Sequence, residues 1–128
     1  MTDSILYFAH KAISLNDIEN TLRDLGYTIL HESSSDPVAI FSGPSGCWWI
    51  YEADEEIFDS EVSGTMAEYG AEAYFDIELL LKHLPHVREV LRALILNYGG
   101  WAGAPTNDLR PVYTLDNIDS LPLYVSDG

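Results

Sequence analysis

The sequence predicts one α+β domain over residues 1–128, a single domain with an antiparallel sheet and two main helices. Three observations lead there. Apolar residues recur at helical spacing in two separate stretches, short branched and aromatic runs alternate with turn clusters, and no linker, repeat or low-complexity tract divides the chain. A chain of this length can bury roughly two thirds of the surface that its unfolded form exposes. Its 47% hydrophobic content, with three Trp, eight Tyr and four Phe, supplies the side chains for a core.

Ser4 to Ala9 is apolar and aromatic enough for a buried first strand. Ser14 or Asn16 can cap a helix in which Leu15, Ile18, Leu22 and Leu25 line one face, and Gly26 can close it in a left-handed C-cap. Tyr27 to Glu32 alternates as a strand should. The polar turn Ser33 to Pro37 follows, then Val38 to Phe41, a second turn at Gly43 to Gly46, and Cys47 to Tyr51, giving three consecutive antiparallel strands.

Between residues 55 and 84 two patterns compete. Ser60 to Thr65 reads as loop. Met66, Tyr69, Ala73, Ile77, Leu80 and Leu84 fit a helical stripe, while Ala73, Phe75, Ile77, Leu79 and Leu81 fit strand alternation, and the strand is expected over Ala73 to Leu81. Pro85 suits the first turn of a second helix, His86 to Tyr98, with Val87, Val90, Leu91, Leu94 and Ile95 on its apolar face and Gly99 at its end. The tail from Trp101 has three prolines and no helical period. It is expected to wrap the surface, with a short strand at Val112 to Leu115.

Charge narrows the function classes. The formal charge of −15 comes from 21 acids against 6 bases, and between Arg23 and Lys82 there are 13 acids and no Lys or Arg. Residues 82 to 110 are slightly basic, so the folded molecule should be electrostatically polar. A field of one sign steers oppositely charged partners and repels phosphate, which argues against direct binding of nucleic acid or an anionic membrane. No apolar run reaches the ~20 residues of a membrane helix. Met1 to His10 has no basic segment ahead of an apolar run, so no secretory signal is expected. Cys47, the single cysteine, excludes an internal disulfide and fits a reducing, cytoplasmic location.

Candidate chemistry is sparse. Glu52, Asp54 and Glu56 would share one face of an extended strand, but a calcium loop needs a glycine at its sharp turn and residues 52 to 61 have none. The histidines of the KHLPH segment, His83 and His86, are separated by a helix-starting proline and indicate no third ligand, so they read as surface histidines. Cys47 reads as a small strand hydrophobe. The glycines at 43 and 46 lack the lysine and following helix of a phosphate loop. No cofactor, metal site or catalytic residue is therefore expected. Of the adjacent pair Trp48 and Trp49, alternation sends one into the core and the other to the opposite face. The candidate partner-binding residues are Trp49, Tyr51, Glu52, Asp54, Glu55, Glu56, Asp59 and Glu61, aromatic anchors beside dense carboxylates.

The acidic strand end WWIYEADEE (Trp48 to Glu56) and the helix followed by Tyr98, Gly99, Gly100 and Trp101 resemble, in type, small acidic bacterial immunity proteins of polymorphic or contact-dependent toxin systems. The resemblance covers about a third of the chain and implies no catalytic residue. It implies stoichiometric inhibition, in which a carboxylate surface docks on a basic toxin domain. Two alternatives stay open: a DNA mimic that occupies a DNA-binding protein, and a small carboxylate-dependent enzyme.

Overall fold

The computed structural model describes residues 3–30, 38–41, 46–53, 60–104 and 112–120. Among these, six strands form one antiparallel sheet: β1 (Asp3–Ala9), β2 (Thr28–Leu30), β3 (Val38–Phe41), β4 (Cys47–Glu52), β5 (Ala73–Leu79) and β6 (Trp101–Gly103). Three α-helices accompany them: α1 (Leu15–Asp24), α2 (Ser60–Tyr69) and α3 (Leu84–Tyr98). The strand order is β2-β3-β4-β5-β1-β6. The three consecutive strands expected from the sequence, β2 to β4, pair in register, Leu30 opposite Ala39 and Ala39 opposite Trp49. β1, first in the chain, lies between β5 and β6.

Helix α1 begins at Ser14, whose backbone N–H donates to the Asp17 carboxylate at 2.9 Å, the reach-back half of a capping box. It ends in a paired closure: the Gly26 N–H bonds the Arg23 carbonyl and the Tyr27 N–H bonds the Leu22 carbonyl. Gly26 sits at φ 92°, the left-handed position that the closure needs. Helix α3 starts two residues earlier than the sequence suggested, with Pro85 in its first turn, and stops where the Gly99 N–H meets the Ile95 carbonyl.

One face of the sheet carries the main core. Ile5 and Tyr7 of β1, Val38 and Ile40 of β3, Trp48 and Ile50 of β4, and Phe75, Ile77 and Leu79 of β5 pack against Ile18 and Leu22 of α1 and Val87, Val90, Leu91 and Leu94 of α3. Each such buried side chain contributes roughly 2 kcal/mol before conformational entropy is subtracted. Tyr7 is fully buried, yet its hydroxyl lies 2.8 Å from the Gly99 carbonyl and 3.1 Å from the Leu94 carbonyl, so its polar end is satisfied inside the core. Burial raises its pKa well above the ordinary tyrosine value.

Two local expectations are corrected. Ser60 to Thr65 is not loop but the first part of α2. Ser, Gly and Thr are poor helix formers, so the segment's own composition points away from a helix, and packing overrides it. Thr65 is buried and Met66 packs on a second cluster formed by Leu6, Phe8 and Trp101. The tail contributes a strand that its prolines hid: β6 pairs with β1, Trp101 opposite Phe8. The strand expected at Val112 to Leu115 is reduced to one bridge, in which Tyr113 and Ala102 exchange both backbone hydrogen bonds. The competing patterns after residue 66 divide by position, with helix up to Tyr69 and strand from Ala73 to Leu79.

Candidate functional site

Alternation along the strands gives the sheet a second face, and α2 covers only part of it. At the covered end, the Trp101 ring stacks on Phe8 with centroids 4.2 Å apart, and Tyr74 lies 6.1 Å from Phe8. The Tyr69 ring, from the end of α2, approaches Trp101, whose indole N–H donates to the Gly70 carbonyl at 2.8 Å. That bond fastens the helix end to β6.

The remaining corner of this face is uncovered among the described residues. One row runs across five strands: Leu30, Ala39, Trp49, Glu78 and Ser4, each opposite the next. On one side lies a row of Thr28, Phe41 and Cys47; on the other lies Tyr51, Asp76, Leu6 and Gly103. Leu30 is 50% exposed and Phe41 41%, high values for side chains of their size on a sheet. Trp49, Tyr51, Asp76 and Glu78 are half-buried. The corner residues include two carboxylates and no Lys or Arg.

The cations of the described residues lie elsewhere. Lys11 is exposed in the link between β1 and α1. Arg23 is on α1, where it pairs with Glu19 at 3.1 Å. Arg88 and Arg92 are on α3, the latter paired with Asp119, and Lys82 is in the turn that precedes α3. The helices α1 and α3 pack on one side of the sheet, and the cation-free aromatic corner is on the other. The helix side is nonetheless not basic overall, since α1 also carries Asp17, Glu19 and Asp24 and α3 carries Glu89.

Asp76 is the most constrained acid of the corner. One of its carboxylate oxygens is buried with no hydrogen-bond partner among the described residues. Loss of water raises the pKa of the group, and hydrogen bonding to Ser4 acts in the opposite direction with smaller effect. An oxygen in that condition costs about 1–3 kcal/mol until a donor reaches it.

The residues singled out from the sequence divide. Trp48 is fully buried beside the helices, with the Tyr27 ring edge-on to it, and Trp49 lies on the opposite face, as alternation requires. Trp49 and Tyr51 belong to the uncovered corner. Glu52, at the end of β4, is exposed and stands opposite Phe75, on the other side of the strand from them. It lines an open cleft of about 340 Å³ with Ile13, Ala53, Glu72, Ala73, Tyr74 and Phe75 at the end of the sheet. Asp54, Glu55, Glu56 and Asp59 lie outside the described residues, as does the side chain of Glu61, whose backbone is in α2.

Sequence reasoning counted Asp76 and Glu78 only as part of the charge total and passed over Phe41 and Leu30. The signal was the period of β5: Phe75, Ile77 and Leu79 form one face, so Tyr74, Asp76 and Glu78 form the other. The KHLPH histidines are separated, and His83 is not a surface residue: it is fully buried, its Nδ1 accepting the Leu80 N–H at 3.1 Å. His86 instead meets the Tyr27 hydroxyl at 3.1 Å, and that hydroxyl donates to Glu89 at 2.5 Å. Among the described residues no three His, Cys, Asp or Glu side chains are grouped to hold a metal ion. Nor is any described helix long and apolar enough to cross a membrane.

No family model, curated protein or solved structure matches the chain. The reading of its function therefore rests on the uncovered corner and its chemistry.

Proposed function

We propose that this chain is a non-enzymatic protein-binding module that docks a basic partner on the uncovered sheet corner. The observation that carries the reading is the row Leu30, Ala39, Trp49, Glu78 and Ser4 with the adjoining pair Tyr51 and Asp76, in which an exposed leucine and half-buried aromatic side chains adjoin two carboxylates with no cation among them. Aromatic anchors provide most of the affinity in such interfaces, while surrounding charge selects the partner and speeds encounter. The sequence resemblance supports one biological form of this activity, an immunity protein that neutralises a basic toxin domain without turnover.

The aromatic content favours this reading over a DNA mimic. A mimic needs carboxylates at the pitch of phosphates, one per ~1.7 Å of duplex axis. Here Trp49 and Tyr51 alternate with acids on neighbouring strands, a pattern suited to a shaped protein surface.

The test takes as ligand the variable C-terminal domain of a secreted protein encoded by a neighbouring gene, and a neighbourhood with no such gene rejects the immunity form of the proposal. Binding is measured by calorimetry at two salt concentrations, and rescue of growth is measured on co-expression. Trp49→Ala should weaken binding by about 30-fold or more, the scale of an interface hot spot. Glu78→Lys and Asp76→Lys should each weaken it further as salt is lowered. Unchanged affinity in all three variants, each shown to be folded, rejects the proposal.

A further inference from the structure

We infer that the cross-strand pairs Trp49–Glu78 and Tyr51–Asp76 are two adjacent arginine seats, which together recognise arginines two residues apart on an extended segment of the partner. The inference rests on the protein-binding reading of the same corner and specifies what that corner selects.

Both pairs have the same composition. In each, an aromatic residue of β4 stands directly opposite a carboxylate of β5, and directly opposed side chains have Cβ atoms ~4.5–5.5 Å apart. A ring face attracts a cation and a carboxylate neutralises it. The guanidinium is planar, weakly hydrated and rich in donors, so it can stack on the ring and bond the acid together, which a compact, strongly hydrated ammonium does less well. One Asp76 oxygen has no hydrogen-bond partner among the described residues but is closed to solvent, so a guanidinium, with five donors to offer, engages it as the side chain turns outward on binding.

Spacing supplies the second half of the argument. Trp49 and Tyr51 are two residues apart on β4, and Glu78 and Asp76 are two apart on β5. The seats therefore lie ~6.8 Å from each other along the strands, the distance between side chains i and i+2 of an extended chain. Beyond the Tyr51–Asp76 row stand Tyr74 and Phe8, in the cluster against which Met66 of α2 packs. That neighbour favours a thin extended segment over a helix 10–12 Å across.

The experiment uses the full chain and four short peptides of identical composition, with two arginines at spacings of one, two, three and four, plus the lysine version of spacing two. Titrations at low salt follow the Trp49 indole N–H and the side-chain carboxyl carbons of Asp76 and Glu78 by NMR. The spacing-two arginine peptide should shift all three signals and bind about fivefold tighter than the other spacings and the lysine version, the scale of one well-placed cation–π contact. It should also move the Asp76 titration to lower pH, with Glu78 and Tyr51 as the neighbouring titratable groups. The preference should vanish in Asp76→Asn/Glu78→Gln, and also in Tyr51→Leu, which retains strand packing.

Equal affinity at every spacing, with the same three signals shifting, overturns the inference and leaves the protein-binding reading standing. The same holds if no peptide perturbs the corner while the toxin domain still binds in a Trp49-dependent way. If neither peptide nor toxin domain touches the corner, both fall.

Discussion

Gly100 lies so close to β1 that a Cβ built on it would stand 1.9 Å from the Phe8 carbonyl oxygen. Its φ of 104° is also a conformation that side-chain-bearing residues rarely adopt. The Tyr98–Trp101 segment, noted in the sequence for its paired glycines, is thus a tight passage from α3 into β6. Gly100→Ala should cost about 2–4 kcal/mol in urea denaturation, with clash and backbone strain acting together.

Gly64 offers the opposite case. It lies within α2, nothing stands within 4 Å of a Cβ added there, and it is exposed. Gly64→Ala should stabilise the protein by about 0.5–1 kcal/mol, through helix propensity and a less flexible unfolded chain. A loss of stability on the same denaturation assay would contradict helix at this position.

Tyr7→Phe removes one hydroxyl from the core and leaves the Leu94 and Gly99 carbonyls without it. The expected loss is about 1–2 kcal/mol, the cost of a buried hydrogen bond broken on one side. The effect should appear as a lower denaturation midpoint with an unchanged slope.

Trp101→Phe keeps the stack on Phe8 in large part and deletes the bond to the Gly70 carbonyl. Hydrogen exchange in α2 should then speed up about fivefold to tenfold, while α3 is little changed. Equal acceleration in both helices would show that the bond supports the whole fold instead of α2 alone.

Asp76 makes a pH prediction with a definite sign. Its pKa is raised above the ordinary 3.8 by burial. The folded chain thus keeps a proton that the unfolded chain has released, and the stability linked to that proton is lost as pH rises from the unfolded value through the folded one. Asp76→Asn does not titrate and should gain on the parent protein across that window, then hold a constant advantage at higher pH. Tyr51, Glu78, Ser4 and Leu6 face the group from β4, β5 and β1 and are common to both proteins. Denaturation curves from about pH 3.5 to about pH 7 read the difference directly.

Local pattern carried most of the architecture. The stripe of Leu15, Ile18 and Leu22, the glycine after α1, and the runs at Val38 and Cys47 state their structure within a few residues. What stayed hidden depends on distant partners. α2 has Ser, Gly and Thr where a helix usually has stronger formers, and its place comes from Leu6, Phe8 and Trp101 far along the chain. β6 is three residues long, too short for a period, and exists because β1 offers an edge.

The candidate site was legible in part for the same reason. Trp49 and Tyr51 stood out by type. Asp76 and Glu78 became their neighbours only when β4 and β5 paired, a register that no single segment encodes.

The sheet order also constrains the timetable of synthesis. β1 leaves the ribosome first, yet its partners are β5, ending at Leu79, and β6, with Phe8 meeting Trp101. The hairpins of β2 to β4 can close as they emerge, but β1 has to wait, aromatic and unpaired, until β5 has been made. Closing so long a loop is slow. A nascent chain stalled before Leu79 would therefore expose an apolar strand with neither of its partner strands complete, the form in which this protein is most open to aggregation and to chaperone capture.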